Sequence, residues 1–188
     1  MKIVILLALL LAGPGATGDG PEYNADGQML RPKDYRTWVF LSSGVGMTYG
    51  PAAAAARPGA PLFDNVFVSP SAYQSFLQTG KWPDKTVLVL EVRKSESKGS
   101  INQGGHFQGE IEAVEVEVKD ESRFPTKWAF FNFGKNDVDA ASPIGPTARC
   151  YACHPQSGAV EQTFVQFYPT LLEVAKKKGT LKPTIKTE

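Results

Sequence analysis

The chain holds two cysteines and two histidines, and three of those four side chains fall in one pentapeptide, Cys150-Tyr151-Ala152-Cys153-His154. The C-x-x-C-H spacing points to one chemistry above others. Two thiols separated by two residues can add to the two vinyl groups of a single porphyrin and form thioethers. The histidine directly after the second cysteine is then placed beneath the iron as its proximal ligand. His154 is therefore the candidate metal ligand, and Cys150 and Cys153 are the candidate attachment points for one covalently bound haem c. The competing chemistries fit less well. A zinc site wants four ligands, and His106 would have to reach it from a distant loop. A thioredoxin-like pair opens a helix early in a βαβ unit, whereas these cysteines come late, after a run of strand patterns. A Cys150–Cys153 disulfide suits an exported protein but leaves His154 without a role.

The far side of the iron decides what such a centre does. Two strong axial ligands make an electron carrier, while an open position admits small molecules. His106 in "QGGHFQG" and Met47 in "GVGMTYG" are candidate sixth ligands, both flanked by glycines. Met29, in an irregular stretch, is a weaker third. The favoured reading is five-coordinate iron held by His154 alone. An electron-transfer protein ligated by Met47 or His106 is the alternative. Eleven phenylalanines can supply apolar walls for the cofactor, although most are expected to be ordinary core.

The elements that must carry these residues can be read from the rest of the chain. Lys2 and a ten-residue apolar run, Ile3 to Ala12, precede small residues ending Ala16-Thr17-Gly18. This is the pattern of a secretory signal peptide over residues 1–18, too short for a bilayer span of about 20 residues. Residues 19–188 are expected to form one exported, soluble domain in the periplasm. Without Lys2 the chain has 19 basic and 19 acidic residues, from totals of 20 and 19. That balance argues against nucleic acid as a partner, which calls for a basic excess or stripe.

Residues 19–34 read as an irregular lead-in, and Trp38 to Leu41 as a short strand. The alanine-rich segment that follows, fenced by Pro51 and Pro58, reads as a loop. "LFDNVFV" (62–68) and "KTVLVLEVRK" (85–94) read as strands. Between them "SPSAYQSFLQTG" reads as a helix, with Ser69 as cap, Pro70 at the first position and Gly80 as stop. "EIEAVEVEVKD" (110–120) alternates, placing Val114, Val116 and Val118 on one face and Glu115 and Glu117 on the other. Glu115 is most simply a solvated carboxylate; on a haem-lining face it would be a proton donor or acceptor near the iron. "KWAFFNF" (127–133) reads as a strand, and residues 158–179 as helical, kinked or restarted at Pro169. Short connections between strands favour antiparallel pairing. The expected fold is a single α+β domain, a mainly antiparallel sheet with a few packed helices.

Three long stretches together resemble the cytochrome P-460 family, which includes the cytochromes c′-beta: "FDNVFVSPSAYQSFLQTGKWPDKTVLVLEVR", "GGHFQGEIEAVEVEVKDESRFPTKWAFFNFG" and "CYACHPQSGAVEQTFVQFYPTLLEVAKKKG". The resemblance implies a mainly antiparallel β fold, usually a homodimer, with one haem c, a histidine on one side and an open distal side. Cys150, Cys153 and His154 match the family's attachment and proximal positions. Members like the name-giving enzyme carry a lysine bonded to the porphyrin edge and oxidise hydroxylamine. The cytochromes c′-beta lack that link, carry an aromatic cap, and bind nitric oxide or carbon monoxide. The family lysine sits in a strand reading T-V-x-V-K-E. Here the strand reads Thr86-Val87-Leu88-Val89-Leu90-Glu91, with Lys85 and Lys94 out of register. Leu90 has no amine, which favours the ligand-binding branch and a small gaseous or N-oxide ligand. By the same resemblance Phe63 and Phe67 are candidates for the distal cap, and Glu115 aligns with a pocket carboxylate. An unidentified redox partner is implied as well.

Overall fold

The structure, a computed structural model, describes residues 18–49 and 59–185. The apolar leader and the alanine-rich segment lie outside the described residues.

Five strands form one antiparallel sheet in sequence order: β2 (Val39–Val45), β3 (Phe63–Val68), β4 (Val87–Glu96), β5 (Phe107–Lys119) and β6 (Trp128–Asn132). A second sheet pairs the dipeptide strands β1 (Met29–Leu30) and β7 (Ala140–Ala141). Helix α1 (Pro70–Thr79) links β3 to β4, while α2 (Arg149–Ser157) and α3 (Pro169–Lys178) follow the strands. The chain is thus a single-domain α+β fold. Among the described residues no helix is long and apolar enough to cross a membrane.

The valine alternation of β5 sets the register. Val114 and Val118 are fully buried and Val116 nearly so. Each is worth roughly 1.5–3 kcal/mol on burial, against about 0.5–1.5 kcal/mol net for a hydrogen bond. A one-residue slip would turn all three to the other face, so packing more than the ladder fixes the pairing. Directly opposed residues share a face. Val89 opposes Val116, and Val87 opposes Val118. With Phe131, Phe133, Tyr35 and Met29 they form one core.

The other face carries a second core. Val68, Leu88 and Trp128 pack there against Phe76 of α1, Leu171 of α3 and the intervening Trp82 and Tyr168. The sheet is therefore the middle of three layers. One outer layer is the helices. The other is the N-terminal segment with the β1–β7 pair.

Three local expectations change. The lead-in is not uniformly irregular: it forms β1 and buries Met29 completely. The helical spacing of 158–179 is realised only from Pro169, at the first position of α3, where its missing N–H costs nothing. Upstream, Val160 and Thr163 form an isolated bridge, and Glu161 has a positive φ of 52°, which no helix allows. Finally, Ser69 does stand at the N-cap of α1, but its hydroxyl makes no capping bond. Asp19 accepts from the main-chain N–H of Ser71 at 2.6 Å and from its hydroxyl.

Candidate haem site

Helix α2 begins at Arg149 and carries Cys150, Cys153 and His154 within its first six residues. A spacing of three brings both thiols to one side of a helix. Both cysteines are half-buried and neither is in a disulfide. Burial pushes the Cys150 thiol up, and the Glu115 carboxylate adds to the shift.

His154 is held on three sides. Its ring meets Phe130 edge-on at 4.6 Å between centroids and leans on Phe164 at 4.5 Å. Nδ1 lies 3.1 Å from the main-chain oxygen of Gln162 and 3.4 Å from Oε2 of Glu117. A carbonyl can only accept, so Nδ1 carries the hydrogen and the lone pair belongs to Nε2. This is the tautomer a metal-binding imidazole uses, with the second nitrogen fixed by a protein acceptor.

The Gln162 carbonyl is itself carefully placed. A Cβ on Gly158 would lie 2.4 Å from the Gln162 carbonyl carbon and 2.7 Å from its oxygen. Only glycine permits that approach. Trp82 Nε1 donates to the Thr163 hydroxyl at 2.7 Å. Lys119 Nζ donates to the Trp82 carbonyl at 2.8 Å and pairs with Glu161 at 3.0 Å. These contacts pin the 159–163 turn onto β5, and through it the acceptor for His154.

Glu117 completes the arrangement. Its Oε1 accepts from the Gln162 side-chain amide at 3.3 Å. Burial pushes its carboxyl above the usual range, against the lowering effect of the neighbouring His154 N–H. On the same strand face Glu115 opposes Leu90 and Asn132, while Glu117 opposes Leu88 and Phe130. The structure thus brings Leu90 and Glu115 to the His154 face of the sheet, with Leu90 part-buried.

Phe63 and Phe67 are not brought there. Phe67 opposes Val89 and Phe63 opposes Arg93, which sets both on the opposite face. Phe67 packs edge-on against Tyr35 and Phe40, each at 5.6 Å. The residue of β3 that opposes Leu90 is Val66. The side chains alternate across the strand, and parity puts the valine on the Leu90 side.

The other candidate ligands fall elsewhere. His106 is exposed in the connection between β4 and β5, beside Ile101 and Phe107. Met47 turns back onto Gly44 and lies 4.0 Å from the Tyr49 hydroxyl. Met29 is in the core on the face opposite His154. Among the described residues there is no group of three or more His, Cys, Asp and Glu side chains that could hold a metal ion.

A cavity of about 420 Å³ opens along the Cys153 side of α2, lined by Arg149, Ala152, Tyr49, Phe164 and Phe167. Tyr49 stacks on Phe164 at 6.3 Å, and Arg149 donates to the Tyr49 carbonyl at 2.6 Å. Two thiols on one helical turn, a histidine with Nε2 uncommitted, and an aromatic cavity alongside make a donor set that fits an iron porphyrin. Sequence reasoning missed Glu117 and Gln162. Glu117 was within reach, since its alternation with Glu115 sets both on one face. Gln162 carried no signal, because its part is played by the main chain. A search of curated proteins finds no match. The Cytochrome P460 family model matches residues 32–165, most of the chain, and the protein belongs to that haem-binding family.

Proposed function

We propose that the chain is an exported c-type cytochrome carrying one haem, tethered through Cys150 and Cys153 and ligated by Nε2 of His154, with the opposite axial position open to nitric oxide or a similar small ligand. The observation that carries this reading is the His154 environment: Nδ1 is committed to Gln162, so Nε2 is the nitrogen that would hold the metal. When bound, the haem supplies an iron centre able to exchange electrons and take a diatomic ligand. The chain's own residues supply the rest. Phe130 and Phe164 clamp the ring of His154, and the 159–163 turn fixes its tautomer. Leu90 presents hydrocarbon where related hydroxylamine-oxidising members carry a cross-linking amine, which speaks against a modified porphyrin. Glu115, on the same face as Glu117, would serve there as an acid–base group.

Five-coordination is supported by the places of the alternatives. His106 is exposed in the β4–β5 connection, and Met47 is engaged with Gly44 and Tyr49. Residues 1–18 are read as the export signal. A homodimer is supported by the edge strand β2, whose Phe40 and Val45 are 54% and 55% exposed.

The test is an optical spectrum of protein matured in a host that attaches haem c, oxidised and reduced, before and after carbon monoxide. A high-spin ferrous spectrum that changes with carbon monoxide is expected. A low-spin ferrous form indifferent to carbon monoxide would defeat the open-site reading. A colourless preparation would defeat haem attachment itself.

A further inference from the structure

We infer that Glu117 is the positioning residue of the proximal side: it shares the Nδ1 hydrogen of His154 with the Gln162 carbonyl and so sets how strongly the imidazole donates to iron. The inference rests on the reading of His154 as the iron ligand.

Glu117 is largely withdrawn from water. Its side chain is 11% exposed. Its cross-strand neighbours on that face are Leu88 and Phe130, both buried and apolar. Among the described residues it forms no ion pair with lysine or arginine; its polar contacts are His154 Nδ1 and the Gln162 amide. The amide holds Oε1, which leaves Oε2 facing the imidazole. A carboxyl held this far from water without a cation is costly, and a purely structural account leaves the choice unexplained.

The chemistry follows from the geometry. An imidazole N–H shared with a carboxylate is a more basic ligand than one bonded only to a main-chain carbonyl. Greater donation strengthens the iron–nitrogen bond and favours the ferric state, lowering the reduction potential. The two flanking phenylalanines prevent the ring from turning away.

The experiment compares holoprotein of the wild type with Glu117→Gln and Glu117→Ala. Three quantities are read: covalent haem by pyridine haemochrome, reduction potential by spectroelectrochemical titration, and the iron–histidine stretching band of the ferrous form by resonance Raman. The isosteric Glu117→Gln is expected to keep its full haem content while the potential rises and the band moves to lower frequency. Glu117→Ala should shift both at least as far. Glu117→Asp, which keeps the charge but draws it back, should recover part of the wild-type band position. It carries the test if the glutamine variant does not fold. Full haem with unmoved band and potential would overturn this inference alone. A wild type without covalent haem would overturn it together with the reading beneath it.

Discussion

Glu91 on β4 is buried and Glu117 on β5 largely so, 3% and 11% exposed at the side chain, on opposite faces of one sheet. Glu91 accepts from Arg36 Nη2 at 2.6 Å and Nε at 2.8 Å, and from Arg93 Nε and the Tyr35 hydroxyl. Burial pushes its carboxyl up, but the bonds from Arg93, Tyr35 and Arg36 outweigh it and hold the pKa at about 2. The same contacts and burial push Tyr35 up to about 12. Glu117 has no such cations, and burial prevails. One carboxylate is neutralised by its surroundings; the other is left with a histidine as its main polar neighbour. A fully satisfied network fixes a structure. A buried group with one chemically meaningful partner is the arrangement in which function is sought.

The largest effect should come from breaking the satisfied side. Glu91→Ala leaves Arg93, 20% exposed, without its carboxylate, and removal of one partner from a buried pair costs about 3–5 kcal/mol. Denaturant unfolding of the variant would measure it; a loss below about 1 kcal/mol would show that the network is replaceable. Acid gives an independent arm. The folded pKa of about 2 lies below the ordinary 4.5, so the unfolded chain takes up the proton first. The stabilisation is present above pH 4.5 and is lost as pH falls toward 2. At about 1.4 kcal/mol per unit, the pair of values corresponds to about 3 kcal/mol. Glu91→Gln should flatten that stretch of the stability profile.

On the His154 face the comparable test is smaller. Gly158→Ala places a Cβ into the Gln162 carbonyl, and overpacking of this kind costs about 1–3 kcal/mol. Because the displaced carbonyl is the acceptor for Nδ1, the iron–histidine band should move as well. A variant that lost stability with an unchanged band would mean that the turn can shift without carrying the imidazole along. The Glu117 variants would then carry the comparison by themselves.

What could be read beforehand follows the range of the interaction. The valine–glutamate alternation of β5 needs only the strand period, and it put Glu115 and Glu117 together on the face away from the valines. The C-x-x-C-H pentapeptide is local, and its chemistry was legible without a fold. The face that Phe63 and Phe67 take was not legible, for a definable reason. Their own alternation separates them from Val66, but which parity faces Leu90 is decided by the β3–β4 register, and register is a pairing between segments about 25 residues apart. The segment around Gln162 failed differently. Its apolar spacing from Val160 to Phe164 suits a helix, yet Gly158, Lys119 and Trp82 hold it in a turn through contacts with residues as far off as β5. Tertiary anchoring overrode propensity there.

The smallest effect concerns how the helical layer on the His154 face is fastened. α1 begins Ser69-Pro70, a textual capping signal, but the Ser69 hydroxyl is fully buried and bonds to nothing among the described residues. The cap comes from Asp19, the first residue beyond the proposed signal sequence. A carboxylate at a helix N-terminus also meets the positive end of the dipole. Asp19→Ala should therefore cost about 0.5–2 kcal/mol, and Ser69→Ala should be close to neutral, since no bond is lost. Thermal unfolding of the two variants distinguishes them. A larger loss at Ser69 than at Asp19 would return the cap to its sequence-local position. It would also leave the helical face held by its own packing without help from Asp19.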